Sequence, residues 1–285
     1  MRDYVQLHAV VLLWGFTAIL GRLIHVPPAE LVVLRTGLAA AGFAVLARAL
    51  RQPVWVGGKP GLILFATGFL VGMHWILFFA ATQWANASIC LAGLPSTTLF
   101  CAFLEPLLIP GKRLRWHELA VGLTLIPALW LIMHVEVQFS FGLWLSVGSA
   151  FAGSVFAVLN GKLAKEHHFA VISCHQMAGA SVFALMALPL FPTPIVSPTA
   201  ADWFWLAILA FVCTVGAYGA YMELLRRMSV FVLNVTYNLE PVYGIVLAAL
   251  IFREDLQLTL GFYLGSLLIV ASVMAVPFFR RLEGR

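Results

Sequence analysis

Long apolar stretches alternate with short polar ones along the whole chain, and ten of the apolar stretches approach or exceed the roughly 20 residues that a helix needs to cross a bilayer. They occupy residues 7–24, 30–50, 61–82, 85–109, 117–134, 142–163, 169–189, 202–226, 230–252 and 257–279, and little remains between them but connections. The turn at 84–88 is tight, yet fusing the third and fourth stretches would give a segment of about 50 residues, far beyond the bilayer's thickness. The pattern predicts an all-α integral membrane protein with ten transmembrane helices.

Composition agrees with that solvent. The chain is 62% hydrophobic and only 10% charged, with a mean hydropathy of +0.98, whereas soluble domains carry about 25% charge. The basic residues then set orientation. With both termini in the cytoplasm, Arg2, Arg48, Arg51, Lys59, Lys112, Arg113, Arg115, Lys162, Lys165, Arg226, Arg227, Arg280, Arg281 and Arg285 fall inside, against Arg22, Arg35 and Arg253 outside. That asymmetry is the positive-inside signature. The net charge of +5 therefore reports topology, and its dispersal over six segments gives no case for nucleic-acid binding. Met1-Arg2-Asp3 leads into an apolar segment without a small-x-small cleavage site before Arg22, which reads as a first span and not as a removed leader.

The second half of the sequence repeats the first. Arg22 and Arg35 match Lys162 and His175 at a shift of 140, Val71-Gly72-Met73-His74 matches Val215-Gly216-Ala217-Tyr218 at 144, Leu114 matches Leu256 at 142 and Gly122 matches Gly261 at 139. A nearly constant offset through five spans indicates duplication. Five is odd, so the second copy must insert upside down. Residues 1–139 and 140–285 thus form two inverted five-helix repeats, an architecture in which solute sites lie near the midplane between the repeats.

Several strings resemble a known family. Leu13-Trp14-Gly15-Phe16, Arg35 in span two, Phe103-Leu104-Glu105-Pro106-Leu107-Leu108 and Tyr237-Asn238-Leu239-Glu240-Pro241-Val242-Tyr243-Gly244, followed by Ile251-Phe252-Arg253-Glu254 and Gly261, look like the EamA branch of the drug/metabolite transporter superfamily. The resemblance covers the whole chain. It implies a secondary transporter that moves small metabolites, often by export of amino acids or related compounds, through alternating access, in the cell membrane (the inner membrane of a bacterium). One departure concerns Pro95, which lies about one turn earlier than the position opposite Pro241, so spans four and nine are not expected to bend alike.

Candidate site residues follow from the cost of polar groups at depth. Glu240 falls near the middle of span nine, where an acidic residue costs about 2.5–3.5 kcal/mol, and Pro241 beside it removes a backbone donor. Asn234 and Tyr237 are spaced to share the face of Glu240, with Asn238 to one side. Glu240 either meets solute or a gate, or it ties helices together; as a buried carboxyl it could also couple transport to protons. His74 and Trp75 correspond by the repeat to Tyr218 and Gly219, and Trp14, Pro95, Ser96 and Thr97 are further groups suited to a cavity wall. His175 and Asn160 are weaker candidates. Arg35, about a turn into span two, could pair with another span or attract a carboxylate solute. Trp84, Trp116 and Trp203 sit at span ends as interfacial anchors.

Other classes find less support. His167-His168 with His175 resembles a metal cluster only superficially, no GxSxG or HExxH motif occurs, and Asn160-Gly161-Lys162 lacks the glycines of a phosphate loop. Neither enzyme activity, metal, cofactor nor ATP is therefore expected. Cys90, Cys101, Cys174 and Cys213 lie within spans and read as small apolar residues. A passive channel or facilitator is the alternative to a carrier. The expected partners are a small-molecule solute and the lipid bilayer, and a monomer suffices because both repeats lie in one chain.

Overall fold

A computed structural model describes residues 2–112, 114, 116–164, 166–191, 195–225, 227–228 and 236–283. The described residues are helical with no strand. In chain order the helices are α1 (Arg2–Leu23), α2 (Pro28–Ala49), α3 (Gly58–Trp84), α4 (Ala87–Leu108), α5 (Trp116–Val135), α6 (Ser140–Leu163), α7 (Phe169–Ala187), α8 (Ala200–Ala207, Ile208–Gly216 and Ala217–Leu225), α9 (Glu240–Phe252) and α10 (Leu260–Glu283). Among the described residues seven helices, α1 to α4 and α6 to α8, are long and apolar enough to cross a membrane, while Leu123–Val135, Glu240–Phe252 and Leu260–Ser272 are shorter apolar helices.

The helix starts follow local chemistry. Pro28 opens α2 in the first turn, where its missing N–H costs nothing. Asn86 caps α4 by accepting from the Ile89 N–H at 2.8 Å. Thr199 and Asp202 form a reciprocal capping box at α8. Arg253 closes α9 in the left-handed region at φ 56°, a conformation uncommon outside glycine. Large apolar side chains such as Leu107, Leu190, Leu250, Leu260 and Leu267 face outward, as a bilayer-embedded surface requires.

Three pairs of helices five apart in order pack on one another, α2 on α7, α4 on α9 and α5 on α10, while α1 packs on α9. In addition α3 packs on α6 and α7, and α8 on α1 and α2. Close approach of α3 and α7 depends on small residues, since a Cβ on Gly72 would stand 3.0 Å from the Ala180 carbonyl oxygen.

The two ends of the bundle are held differently. At the end where α1 passes into α2, buried carboxylates tie one connection to another. Glu30 accepts from Val196 N (3.2 Å), Asp202 from His25 N (2.8 Å) and Glu136 from Thr259 N (2.6 Å). Glu254, wholly buried, accepts from Ala87 N (3.1 Å), Ser88 N (2.9 Å), Ser88 Oγ (2.6 Å) and Arg22 Nη1 (2.6 Å). At the opposite end the ion pairs are solvent-facing: Arg227 with Asp3 and Glu223, and Lys112 with Glu105.

Candidate solute-binding site

The span-nine motif does not form a kinked helix around Glu240. Thr236 and Tyr237 are helical, Asn238 and Leu239 make a turn, and α9 begins at Glu240. Glu240 thus occupies the first turn, where backbone N–H groups are unpaired and a negative charge is favoured. Pro241 sits at the second position, where proline initiates a helix and does not bend it. Glu240 thus opens a helix, whereas the sequence placed it near the middle of span nine. Glu240 is 6% exposed, and the Tyr237 hydroxyl donates to its carboxylate. Asn234 lies outside the described residues, and Asn238 is half-buried in the turn.

Trp14 of α1 covers this turn. Its ring stands 5.5 Å from that of Tyr237 and 5.2 Å from that of Tyr221 in α8. The contact is close because Gly15 follows it: a Cβ there would stand 3.0 Å from the Glu240 carbonyl oxygen and 3.0 Å from Gly244 N. On the same helix pair His8 Nδ1 lies 2.7 Å from the Tyr243 hydroxyl. Trp14, Tyr237 and Glu240, predicted from sequence, therefore form one cluster, with Tyr221 as a member that sequence did not single out.

Some of the other predicted residues fall in two further groups. In the first, Asn160 donates through Nδ2 to the Tyr218 hydroxyl at 3.1 Å, while Gln176 Nε2 donates to Asn160 Oδ1 and Thr67 Oγ1 at 3.2 Å each. This chain joins α3, α6, α7 and α8 and uses the polar groups on each other. In the second, His74 Nδ1 lies 2.8 Å from both the carbonyl oxygen and the hydroxyl of Ser149, whose Oγ in turn donates to the His74 carbonyl at 2.8 Å. His74 therefore fastens α3 to α6. Pro95 and Ser96 lie in a 3-10 stretch, Leu94–Ser96, inside α4. The hydroxyls of Ser96 and Thr97 return to their own helix at Gly93 O and Leu94 O, both at 2.7 Å. His175 is wholly buried: Nε2 accepts from Val56 N at 3.0 Å and Nδ1 lies 2.9 Å from Val171 O. It pins the α2–α3 connection and touches no cluster at depth.

Beside His74, Trp75 has a different neighbour. The guanidinium of Arg35 lies over its ring, 3.7 Å from the centroid, and 5.4 Å from the centroid of Phe79. Arg35 Nε donates to Thr214 Oγ1 at 3.1 Å. Thr214 belongs to the π-helical stretch Ile208–Gly216 of α8, and its hydroxyl donates to Leu209 O, five residues back, at 2.8 Å. Such π segments recur at functional sites. Arg35 is 3% exposed and is the one Lys or Arg buried among the described residues. Sequence reasoning weighed it without placing it in the site; what it lacked was the stacking partner, which comes from α3.

Among the described residues no group of three or more His, Cys, Asp or Glu could hold a metal ion, and the four cysteines are free. Surface hollows of about 160 Å³ beside Lys59, Pro60 and His167 and about 280 Å³ beside Trp55 and Val56 have none of the clustered residues in their walls.

Fold and lining define a multi-pass helical membrane protein with polar groups gathered between its helices. Residues 140–277 match the EamA-like transporter family, in agreement with the resemblance that the motifs of this half carry. No curated protein matches the chain. Sixteen solved chains do; one, described only as the crystal structure of a protein, is similar over 98% of both chains, with a TM-score of 0.67 and 18% identity. At that identity it shares the fold alone.

Proposed function

We propose that the protein is a secondary transporter that carries small metabolites, amino acids or related compounds, outward across the membrane by alternating access. Its ten helices act as two inverted repeats, residues 1–139 and 140–285, with both termini in the cytoplasm. The family match beginning at residue 140 and the packing of α2 on α7, α4 on α9 and α5 on α10 support that division. So does the 14-to-3 partition of Lys and Arg between the two sides.

The observation that carries the reading is the break before α9. A helix that starts inside the bundle presents its N-terminal N–H groups and Glu240 where Trp14, Tyr221 and Tyr237 converge. Discontinuous helices of this kind build the midplane sites of transporters, and the aromatic rings suit an organic solute. Glu240, held by Tyr237, is the group through which proton coupling would act. No soluble nucleotide-binding segment lies between the helices, so a solute or proton gradient supplies the energy.

Tracer flux in liposomes tests this. Purified protein should give saturable uptake and counterflow of amino acids from a mixed panel, and Glu240→Gln should lower the initial rate at least about tenfold, the loss of one charge-assisted contact in the transition between states. Flux that does not saturate and shows no counterflow would indicate the channel. Wild-type counterflow with an unchanged rate in Glu240→Gln would leave Glu240 a helix tie.

A further inference from the structure

We propose that Arg35 is the receptor for a carboxylate on the transported solute, so that the protein selects anionic or zwitterionic organic acids over their neutral analogues. The inference rests on the carrier reading for its physiological meaning, but the site itself stands on geometry.

A cation inside a membrane protein is expensive unless an opposite charge or a ring of acceptors compensates it. Among the described residues each buried carboxylate accepts at least one hydrogen bond: Glu254 from Arg22 and the α4 N-terminus, Asp202 from His25 and Thr199, Glu30 from Val196, Glu136 from Thr259, Glu240 from Tyr237. Arg35 has no carboxylate within ion-pair distance among the described residues, although it is 97% buried.

What its neighbours do instead is orient it. Trp75 covers one face of the guanidinium at 3.7 Å, a cation–π contact that favours the charge without neutralising it. Thr214 takes the Nε proton at 3.1 Å. With the face and Nε occupied, the remaining edge is the Nη1–Nη2 pair, which donates no hydrogen bond to any described residue. That pair presents two parallel N–H donors with the spacing of the two oxygens of a carboxylate. A lysine stem or an interhelical tie would need neither the stacking ring nor the free edge.

The position fits a transported ligand. Arg35 and Trp75 come from the first half of the chain and Thr214 from the second, so the fork lies between the two halves whose relative movement alternating access requires. Thr214 is held by the π stretch through its bond to Leu209 O. A shift of α8 against α2 changes the Nε contact.

The test uses purified protein in detergent at constant chloride, with benzoate and indole-3-acetate as probes against benzamide and indole-3-acetamide. Binding to the folded state raises the melting temperature. Wild type should bind the acids about 10- to 100-fold more tightly than the amides, the span of one bidentate charge-assisted contact. Arg35→Gln should abolish the preference, Arg35→Lys should keep part of it, and Trp75→Leu should weaken it. Equal binding of acids and amides by wild type overturns the proposal, as does a preference retained in Arg35→Gln. If Arg35→Gln does not yield monodisperse protein, Thr214→Val and Arg35→Lys decide: a preference unchanged in both overturns it. Counterflow separates the two readings. Acid-selective binding without counterflow of either acid sinks the carrier and keeps the fork; counterflow of acids and amides at equal rates does the reverse.

Discussion

Two arginines near the same end of the bundle solve burial in opposite ways. Arg22, at the last turn of α1, reaches Glu254 at 2.6 Å and lies 4.6 Å from the centroid of Phe252. Arg35, deeper in α2, lies on Trp75 and, among the described residues, hydrogen-bonds to a hydroxyl and to no carboxylate. The first is part of a closed account of charges in which Glu254 collects donors from α1 and from the start of α4. The second is a cation with an unused edge. Position in the membrane does not explain the difference, because the deeper residue is the one less compensated. A residue kept charged at greater cost points to use, and one fully matched points to fastening.

The largest effect should come from the fastening side. Glu254→Ala leaves Ala87 N, Ser88 N and the Arg22 guanidinium without their acceptor at a wholly buried position. Removing one partner of a buried charged network costs about 3–5 kcal/mol. Thermal unfolding in detergent should show a drop in melting temperature exceeding that of any other substitution considered below. A Glu254→Ala protein as stable as wild type would mean that the end of the bundle is held by packing alone.

Arg22→Gln comes next. Glu254 keeps its backbone and Ser88 donors, and Arg22 is 30% exposed, so solvent screens part of the loss. The expected destabilisation is about 1–2 kcal/mol, the lower part of the range for a hydrogen bond to a charged group. The same melting assay reads it. Flux per folded molecule should hardly change, since Arg22 touches no residue of the Trp14–Tyr237–Glu240 cluster.

Much of this contrast was legible in the sequence and its decisive part was not. Helix positions were open to reading because hydropathy in a membrane chain is a long-range average; a window of some 20 residues tolerates local exceptions. Arg35 and Glu240 stood out because charge within an apolar run is rare. Their surroundings were hidden because each is completed from elsewhere: Trp75 and Thr214 for Arg35, Trp14 for Glu240. The π stretch at Ile208–Gly216 leaves no signature in periodicity, being one extra residue in a turn. Pro241 was read as a lost donor inside span nine, whereas the helix opens beside it, because proline is equally at home in a first turn, where N–H groups are unpaired anyway. His74 and His175 looked alike as lone intramembrane histidines; only the positions of Ser149 and Val56 show that both act as ties.

The smallest change in stability should accompany Arg35→Gln, and this is where the comparison is most exposed. Substitution removes the stacking on Trp75, worth about 0.5–2 kcal/mol, and the Thr214 contact, worth about 1 kcal/mol. It also removes a buried charge that no described carboxylate balances, and relief of that cost acts in the opposite direction. The two should nearly cancel, leaving Arg35→Gln less destabilised than Arg22→Gln even though Arg35 is the more buried of the pair. Melting curves of the two variants measured side by side decide the matter. If Arg35→Gln proves the less stable, then Arg35 is itself a fastening residue, matched by contacts whose sum exceeds the burial of its charge. If it proves as stable as wild type and loses solute selectivity, the division between a fastened end and a working depth stands on two independent readouts.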